Sequence, residues 1–210
     1  MKNSVSVAAG SAPSTLLHPL TSIVDRLDLG RIFPVPQPVE IELGSGDGSF
    51  LALYAARHPE RNYIGVERLL GRLRKLDRKG RRAGLTNLRG LRIECRYLLE
   101  HLLPPGSVSA LHVYFPDPWP KKRHQARRLV NAQFAAHAAR VLPHLGIVYL
   151  RTDHADYFEQ MNAVFAASPV FRPVPTPSEL AGLQTDFEAD FAARGIPTFR
   201  AAFEKIAVGE

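Results

Sequence analysis

Val39-Glu40-Ile41-Glu42-Leu43-Gly44-Ser45-Gly46-Asp47-Gly48 is a short β-favouring run that ends in a glycine-rich loop. A helical stretch, Ser49 to Arg57, follows and stops before Pro59. Working outward, Asn62 to Val66 reads as a second strand ending at Glu67. Leu69, Leu70, Leu73 and Leu76 then recur at helical spacing until Gly84 closes the helix. Leu88 to Ile93 reads as a third strand and Arg96 to Leu103 as a short helix. Val108 to Phe115 is a fourth strand, Gln125 to Leu142 is amphipathic, and Gly146 to Leu150 is a fifth strand. Ala155 to Ala166 is helical. Beyond it come a β run from Phe171, a helix around Glu179 to Ala193 and a strand near Thr198 to Ile206. This alternation predicts an α/β fold, a doubly wound and mostly parallel sheet with helices on both faces.

In such sheets ligands sit beyond the carboxyl ends of the strands. Glu42, Glu67, Glu94, Asp117 and Asp153 all fall at or just past such ends, which argues for one shared pocket. A dinucleotide fingerprint would place its third glycine at position 49, where this chain has Ser. Gly44, Gly46 and Gly48 instead follow Glu42 at alternate positions. Glycines there permit a tight turn and close backbone approach. An acid two residues ahead of them repels pyrophosphate and favours a cation. S-adenosylmethionine joins an ammonium and a sulfonium to an adenosine, so the loop favours a methyltransferase over a dinucleotide enzyme or a plain turn. Glu67 is placed to accept ribose hydroxyls in either nucleotide family.

The chain has 210 residues and a net charge of +7, which points to an anionic partner. Between Arg68 and Arg96 the cations crowd together against only Asp77 and Glu94, and Lys121, Lys122, Arg123, Arg127 and Arg128 form a second cluster. Charge alone indicates affinity for anions, not which anion. The single Cys95 excludes an intramolecular disulfide and a Cys-based zinc cluster, and it reads as a small buried residue. No metal is expected. No apolar run approaches the roughly 18 residues of a membrane helix. Residues 1–19 are expected to form a disordered tail ahead of one domain spanning 20–210, and the protein is expected to be cytoplasmic.

Phe115-Pro116-Asp117-Pro118-Trp119-Pro120-Lys121-Lys122-Arg123-His124 sets a carboxylate between two prolines, then adds the only Trp and a row of cations. Proline fixes φ and lacks an N–H, so the segment is stiff and continues neither strand nor helix. Trp119 is free on this reading either to stack on a base or to pack beneath its loop. With Arg127-Arg128 after it, the motif resembles that of bacterial tRNA (guanine-N7-)-methyltransferases. Asn62 to Glu67, Thr152-Asp153 and Thr185-Asp186-Phe187-Glu188 agree with the same family. The similarity runs from about Val39 to Lys205. The ten-residue motif is specific to the family, whereas the glycine loop belongs to class I methyltransferases generally.

The resemblance implies a class I, Rossmann-like methyltransferase that uses S-adenosylmethionine and acts on tRNA, as a monomer or a homodimer. It implies cofactor contacts at Glu42, Glu67, Glu94 and Asp117, with Gly44, Gly46 and Gly48 forming the loop. Substrate contacts are implied at Lys121, Asp153, Thr185, Asp186, Phe187 and Glu188. Lys122, Arg123, His124, Arg127 and Arg128 are further candidate tRNA contacts. The chain departs from the family at Glu94-Cys95, where Asp-Ala is usual, and at Asp186, where Lys or Arg is common. Guanine N7 carries a lone pair and no proton, so alignment outweighs base catalysis. A carboxylate near the base would stabilise the charge that develops on it. Asp117 is the first candidate and Asp153 the second. Without the family, Thr185-x-x-Glu188 reads as a helix capping box. Two rivals stand beside this reading: a class I methyltransferase for another RNA, a small molecule or a protein, and a non-catalytic RNA-binding module. A tRNA enzyme should lose affinity steeply with salt.

Overall fold

The computed structural model describes residues 14–207. Eight strands form one sheet: β1 (Leu17–His18), β2 (Val39–Leu43), β3 (Asn62–Val66), β4 (Leu88–Leu91), β5 (Ala110–Tyr114), β6 (Ile147–Thr152), β7 (Phe171–Val174) and β8 (Phe199–Lys205). Their spatial order is β1-β4-β3-β2-β5-β6-β8-β7. Pairing is parallel from β1 to β6, and β8 runs antiparallel to both β6 and β7. The chain leaves β2 toward β3 and β4, then returns to β5 on the other side. That reversal between β2 and β5 opens the crevice in which open α/β sheets bind ligands.

Strand alternation separates two unlike cores. Val39, Ile41 and Leu43 of β2 pack with Leu111 and Val113 of β5, and with Phe134 of α4 (Ala132–Val141) and Phe165 of α5 (Ala155–Ala166). The opposite face carries Ala110 and Tyr114 of β5, which pack with Phe50, Leu51 and Tyr54 of α1 (Ser49–Arg57) and Leu76 of α2 (Leu70–Arg82). Glu40 and Glu42 alternate with the apolar residues of β2 and are buried, as is His112 of β5. One face is therefore plain apolar core, and the other buries chemistry.

Several expectations need correction. Residues 1–13 of the expected tail lie outside the described residues, but its remainder is structured. Leu16 is fully buried, its N–H and the Thr15 hydroxyl bond Asp77, and Leu17 and His18 pair with β4. The amphipathic span from Gln125 divides into a 3₁₀ segment, Lys122–Arg127, and α4. The break arises because Asn131 caps α4 through Phe134 N at 3.0 Å while Arg128 turns inward. The segment expected as a helix from Arg96 is one α turn, α3 (Cys95–Tyr97), running into a π turn at Leu98–Leu102. The helix expected from Glu179 to Ala193 is two, α6 (Ser178–Gly182) and α7 (Asp186–Ala193). Thr185 starts the second one through a complete capping box with Glu188.

Candidate active site

The glycine loop turns the chain from β2 into α1 at the switch point. Gly44, Gly46 and Gly48 all have positive φ, at 84°, 56° and 75°. Gly48 has a second constraint, because a Cβ there would lie 2.6 Å from the Leu76 side chain. A Cβ on Gly46 would meet nothing within 4 Å, so its backbone faces open space. That space is a cavity of about 230 Å³, floored by Glu42, Ser45 and Gly46 and walled by Tyr114 and Phe115. Thr185 and Phe187 cover it, and Arg72 and Lys75 stand at its mouth. The structure thus brings the glycine loop, the first residue of the proline-rich motif and the Thr185 segment to one cavity.

Glu42 is its dominant group. The side chain is buried, and its Oε2 has no hydrogen-bond partner among the described residues. Burial pushes the carboxyl up to about 8, with the Arg151 guanidinium opposing the shift and Asp47 adding to it. Ser45 Oγ, also buried, lacks a partner as well. Unpartnered buried polar atoms are uncommon and call for an explanation. A cationic hydrogen-bond donor in the cavity supplies one. Asp47 is not available for that role. It accepts from Ser49 N at 3.1 Å and from Lys79 Nζ at 2.7 Å. Burial would raise its carboxyl, but the bonds from Lys79 and Ser49 hold it below the usual range.

Glu67 and Glu94 do not line this cavity. Glu67 is buried and accepts from Leu69 N at 2.9 Å, while Glu94 is exposed and caps α3 through Tyr97 N at 2.9 Å. They meet instead around Cys95. Burial pushes its thiol up to about 12, aided by the Glu94 and Glu67 charges and opposed by a bond to the Gly44 backbone. Cys95 is thus a protonated packing residue. Gly44 joins this acidic rim to the cavity.

The proline-rich loop holds Asp117 out to solvent, where its carboxylate has no partner among the described residues. Asp117 lies two residues past the cavity wall at Phe115. Lys121, Lys122 and Arg123 are exposed beside it. Trp119 packs within its own loop, with the Arg127 guanidinium 5.0 Å from its ring centroid and His124 edge-on at 5.9 Å. Arg128 departs from the expectation that it meets tRNA. It is 1% exposed and donates to Pro118 O at 2.7 Å, Gln160 Oε1 at 2.7 Å and Asp156 Oδ2 at 2.5 Å. It is a clamp that ties the loop to α5. We expect Arg128→Met to destabilise the fold by about 2–3 kcal/mol, because the loop carbonyl and Gln160 lose a charged donor. Thermal unfolding checks this; an unchanged melting temperature with weakened tRNA binding would restore the phosphate-contact role.

Glu188 is corrected in the same way. It is 1% exposed, and its oxygens take Arg151 at 2.7 Å, Arg200 at 2.7 Å and Thr185 N at 2.8 Å. That leaves it supporting α7 rather than facing a substrate. Thr185 and Phe187 do reach the cavity, and Phe187 is 55% exposed. Asp186 begins α7. Asp153 is half-buried between the end of β6 and His154, the cap of α5, and it does not line the cavity.

Comparison with known proteins identifies the family. A family model described as "Putative methyltransferase" matches residues 36–201. A tRNA (guanine-N(7)-)-methyltransferase of Alkalilimnicola ehrlichii is 38% identical over 170 residues, covering 81% of this chain and 72% of that protein. One from Listeria monocytogenes is 34% identical over 175 residues, covering 81% of each. The chain belongs to this methyltransferase family. Solved structures speak to the fold alone. The 16S rRNA methyltransferase KamB aligns with a TM-score of 0.58 at 18% identity, over 81% of this chain and 89% of that one. The [4+2]-cyclase SpnF aligns at 0.57 and 13%, over 83% and 78%. One fold thus carries unrelated chemistry, and the site has to specify the reaction. Among the described residues of this methyltransferase, no cluster of His, Cys, Asp or Glu could hold a metal, and no helix could cross a membrane.

Sequence reasoning missed the residue that holds the methyltransferase site together. Arg151, on β6, is 1% exposed and lies 4.3 Å from the Tyr114 ring centroid and 5.3 Å from that of Phe50. It bonds Leu180 O at 2.5 Å, Leu183 O at 2.8 Å and Glu188 at 2.7 Å. It therefore joins the cavity wall to α6 and α7 while its charge acts on Glu42. A charged residue within the β-favouring run Ile147 to Thr152 was the available signal. His112 was also missed. It is fully buried and links Glu40 Oε2 at 2.8 Å to Tyr114 OH at 2.7 Å, fixing that wall from behind.

Proposed function

We propose that this chain transfers a methyl group from S-adenosylmethionine to N7 of a guanosine in the variable loop of tRNA, in the cytoplasm. The observation that carries the reading is the unpartnered Glu42 carboxyl, buried beneath a glycine loop in the cavity that Phe115 of the proline-rich motif also walls. An orphaned carboxyl and an orphaned Ser45 hydroxyl suit a ligand bearing an ammonium beside a polar group. The residues present therefore fit S-adenosylmethionine. Glu42 would take the ammonium, and Gly44 to Gly48 would let the ligand approach the backbone. Glu67 would accept ribose hydroxyls and Glu94 would bound the adenine.

When bound, S-adenosylmethionine supplies an electrophilic methyl group, the N7 lone pair forming the new C–N bond as the C–S bond breaks and leaves its electron pair on sulfur. The chain has no proton to remove from N7. Its task is to bring the base to the cavity mouth and hold it in line, an effect that can contribute about 7–11 kcal/mol. Asp117 faces the base and stabilises the positive charge appearing on its imidazole ring. Lys121, Lys122 and Arg123 hold neighbouring phosphates. Phe187 offers an exposed apolar face beside Thr185 for the base that has left its tertiary contacts.

Incubation with total tRNA and labelled S-adenosylmethionine, followed by nucleoside analysis, tests the assignment. 7-Methylguanosine is the expected product. Label confined to another nucleoside, to protein or to a small acceptor would overturn it.

A further inference from the structure

We infer that the outer face of α2 is a second contact surface for the tRNA substrate, a track for its phosphate backbone that begins at the cavity mouth. The inference rests on the tRNA reading above. It starts from the helix pattern. Leu73, Leu76 and Gly80 turn inward and are buried. The opposite side carries Arg74, Arg78 and Arg82 one turn apart, with Lys75 beside them, and all four are exposed. They rise over about 12 Å, taking 1.5 Å per residue.

The other cations of this helix have partners. Arg72 lies 3.5 Å from Glu67, Lys79 is 2.7 Å from Asp47 and Arg81 is 3.8 Å from Asp77. Arg74, Lys75, Arg78 and Arg82 have no ion pair among the described residues. A face that serves solubility alone usually alternates signs, as i,i+4 pairs of opposite charge support a helix. Here Arg74–Arg78 and Arg78–Arg82 are like-charge pairs at that spacing, each unfavourable by about 0.2–0.5 kcal/mol. A polyanion laid along the helix would convert that repulsion into binding.

Position supplies the second argument. Lys75 lines the cavity mouth and also the adjoining groove, which Arg78, Lys79 and Arg82 continue. The basic track is thus continuous with the site of the reaction. The cations of the proline-rich motif follow a different strand, β5, so an RNA with its guanosine at the cavity would be gripped from two directions. A phosphodiester backbone fits this face better than an isolated phosphate, because four cations along one helix make a line and no enclosed pocket.

Binding of tRNA to the full chain across a salt series tests the track, with calorimetry of S-adenosylmethionine as a parallel readout. In the combined variant Arg74→Ala, Arg78→Ala and Arg82→Ala, tRNA affinity should fall about tenfold or more, and the slope of log affinity against log salt should flatten by about 2–3. Cofactor affinity should not change. The matching Arg→Lys variant should keep the wild-type slope. A control that removes the same charge elsewhere, Arg31→Ala, Arg57→Ala and Arg172→Ala, should also keep it. A wild-type slope in the first variant, or an equal loss in the control, would overturn the track. So would unaltered tRNA binding with lost binding to phosphatidylserine vesicles, which would assign the face to a membrane. If the wild type makes no 7-methylguanosine while the first variant still loses RNA affinity, the reaction is misassigned and the track stands.

Discussion

Glu42→Gln is expected to weaken S-adenosylmethionine binding by about 10- to 100-fold while making the ligand-free protein more stable at neutral pH. The two effects share one cause. Glu42 is buried without a partner for Oε2, and burial holds its carboxyl near 8. The folded chain therefore keeps a proton near pH 7 that the unfolded chain, with an ordinary carboxyl, has released. Stability is then full below the unfolded value of 4.5, declines as pH rises toward about 8, and levels off above it. Gln fills the same space and does not titrate, so this part of the decline should vanish from unfolding curves recorded across pH.

Binding shows the other side of the same group. A charge-assisted hydrogen bond contributes about 1.5–3 kcal/mol, which sets the expected loss of affinity. As the ammonium enters, the carboxyl must ionise, so wild-type binding at pH 7 should release a proton that calorimetry in buffers of different ionisation enthalpy detects. The Gln variant should release none from this site. Unchanged cofactor affinity in Glu42→Gln would remove Glu42 from the binding site and the cofactor assignment with it.

The residues that were easy to find were those whose reason is local. The run Val39 to Leu43 has β-favouring residues, and Gly44, Gly46 and Gly48 after it sit where φ is positive, so β2, α1 and the loop between them follow from neighbours in sequence. Glu42 was legible for the same reason. What escaped notice depends on distance. Arg151 acts on Leu180, Leu183 and Glu188, about 30 residues or more along the chain, and it splits the expected final helix by taking carbonyls from α6 and the capping Glu of α7. Arg128 and Arg127 are adjacent in a basic cluster, yet one is buried on Pro118, Gln160 and Asp156 and the other lies over Trp119. Charge identifies such a cluster, but only packing tells which member faces the solvent. The expectation of one pocket shared by five strand-end acids does not hold, since Glu42 alone of them lines the cavity while Glu67 and Glu94 lie around Cys95.

Asp117→Asn is expected to lower the single-turnover rate of tRNA methylation by about 10²–10³-fold, with tRNA affinity preserved. An exposed carboxylate has little effect while water surrounds it, since water weakens its field. Its value arises when a bound nucleobase displaces that water and positive charge grows on the imidazole ring beside it. The loop is built to keep Asp117 in place until then. Phe115 and Trp119 on either side have positive φ, 49° and 42°, conformations that cost non-glycine residues about 1–3 kcal/mol each. Arg128 holds Pro118 O, Arg151 O accepts from Phe115 N at 2.9 Å, and Arg127 covers Trp119, so tertiary contacts hold the strained turn. Strain of this kind at an outward-facing acid fits a preorganised electrostatic group better than a solvated loop tip. Asn keeps the shape and removes the charge, which separates the field of Asp117 from any role in folding the loop. A near-normal rate in Asp117→Asn together with a large loss in Asp153→Asn would transfer the role to Asp153, the half-buried acid just past the end of β6.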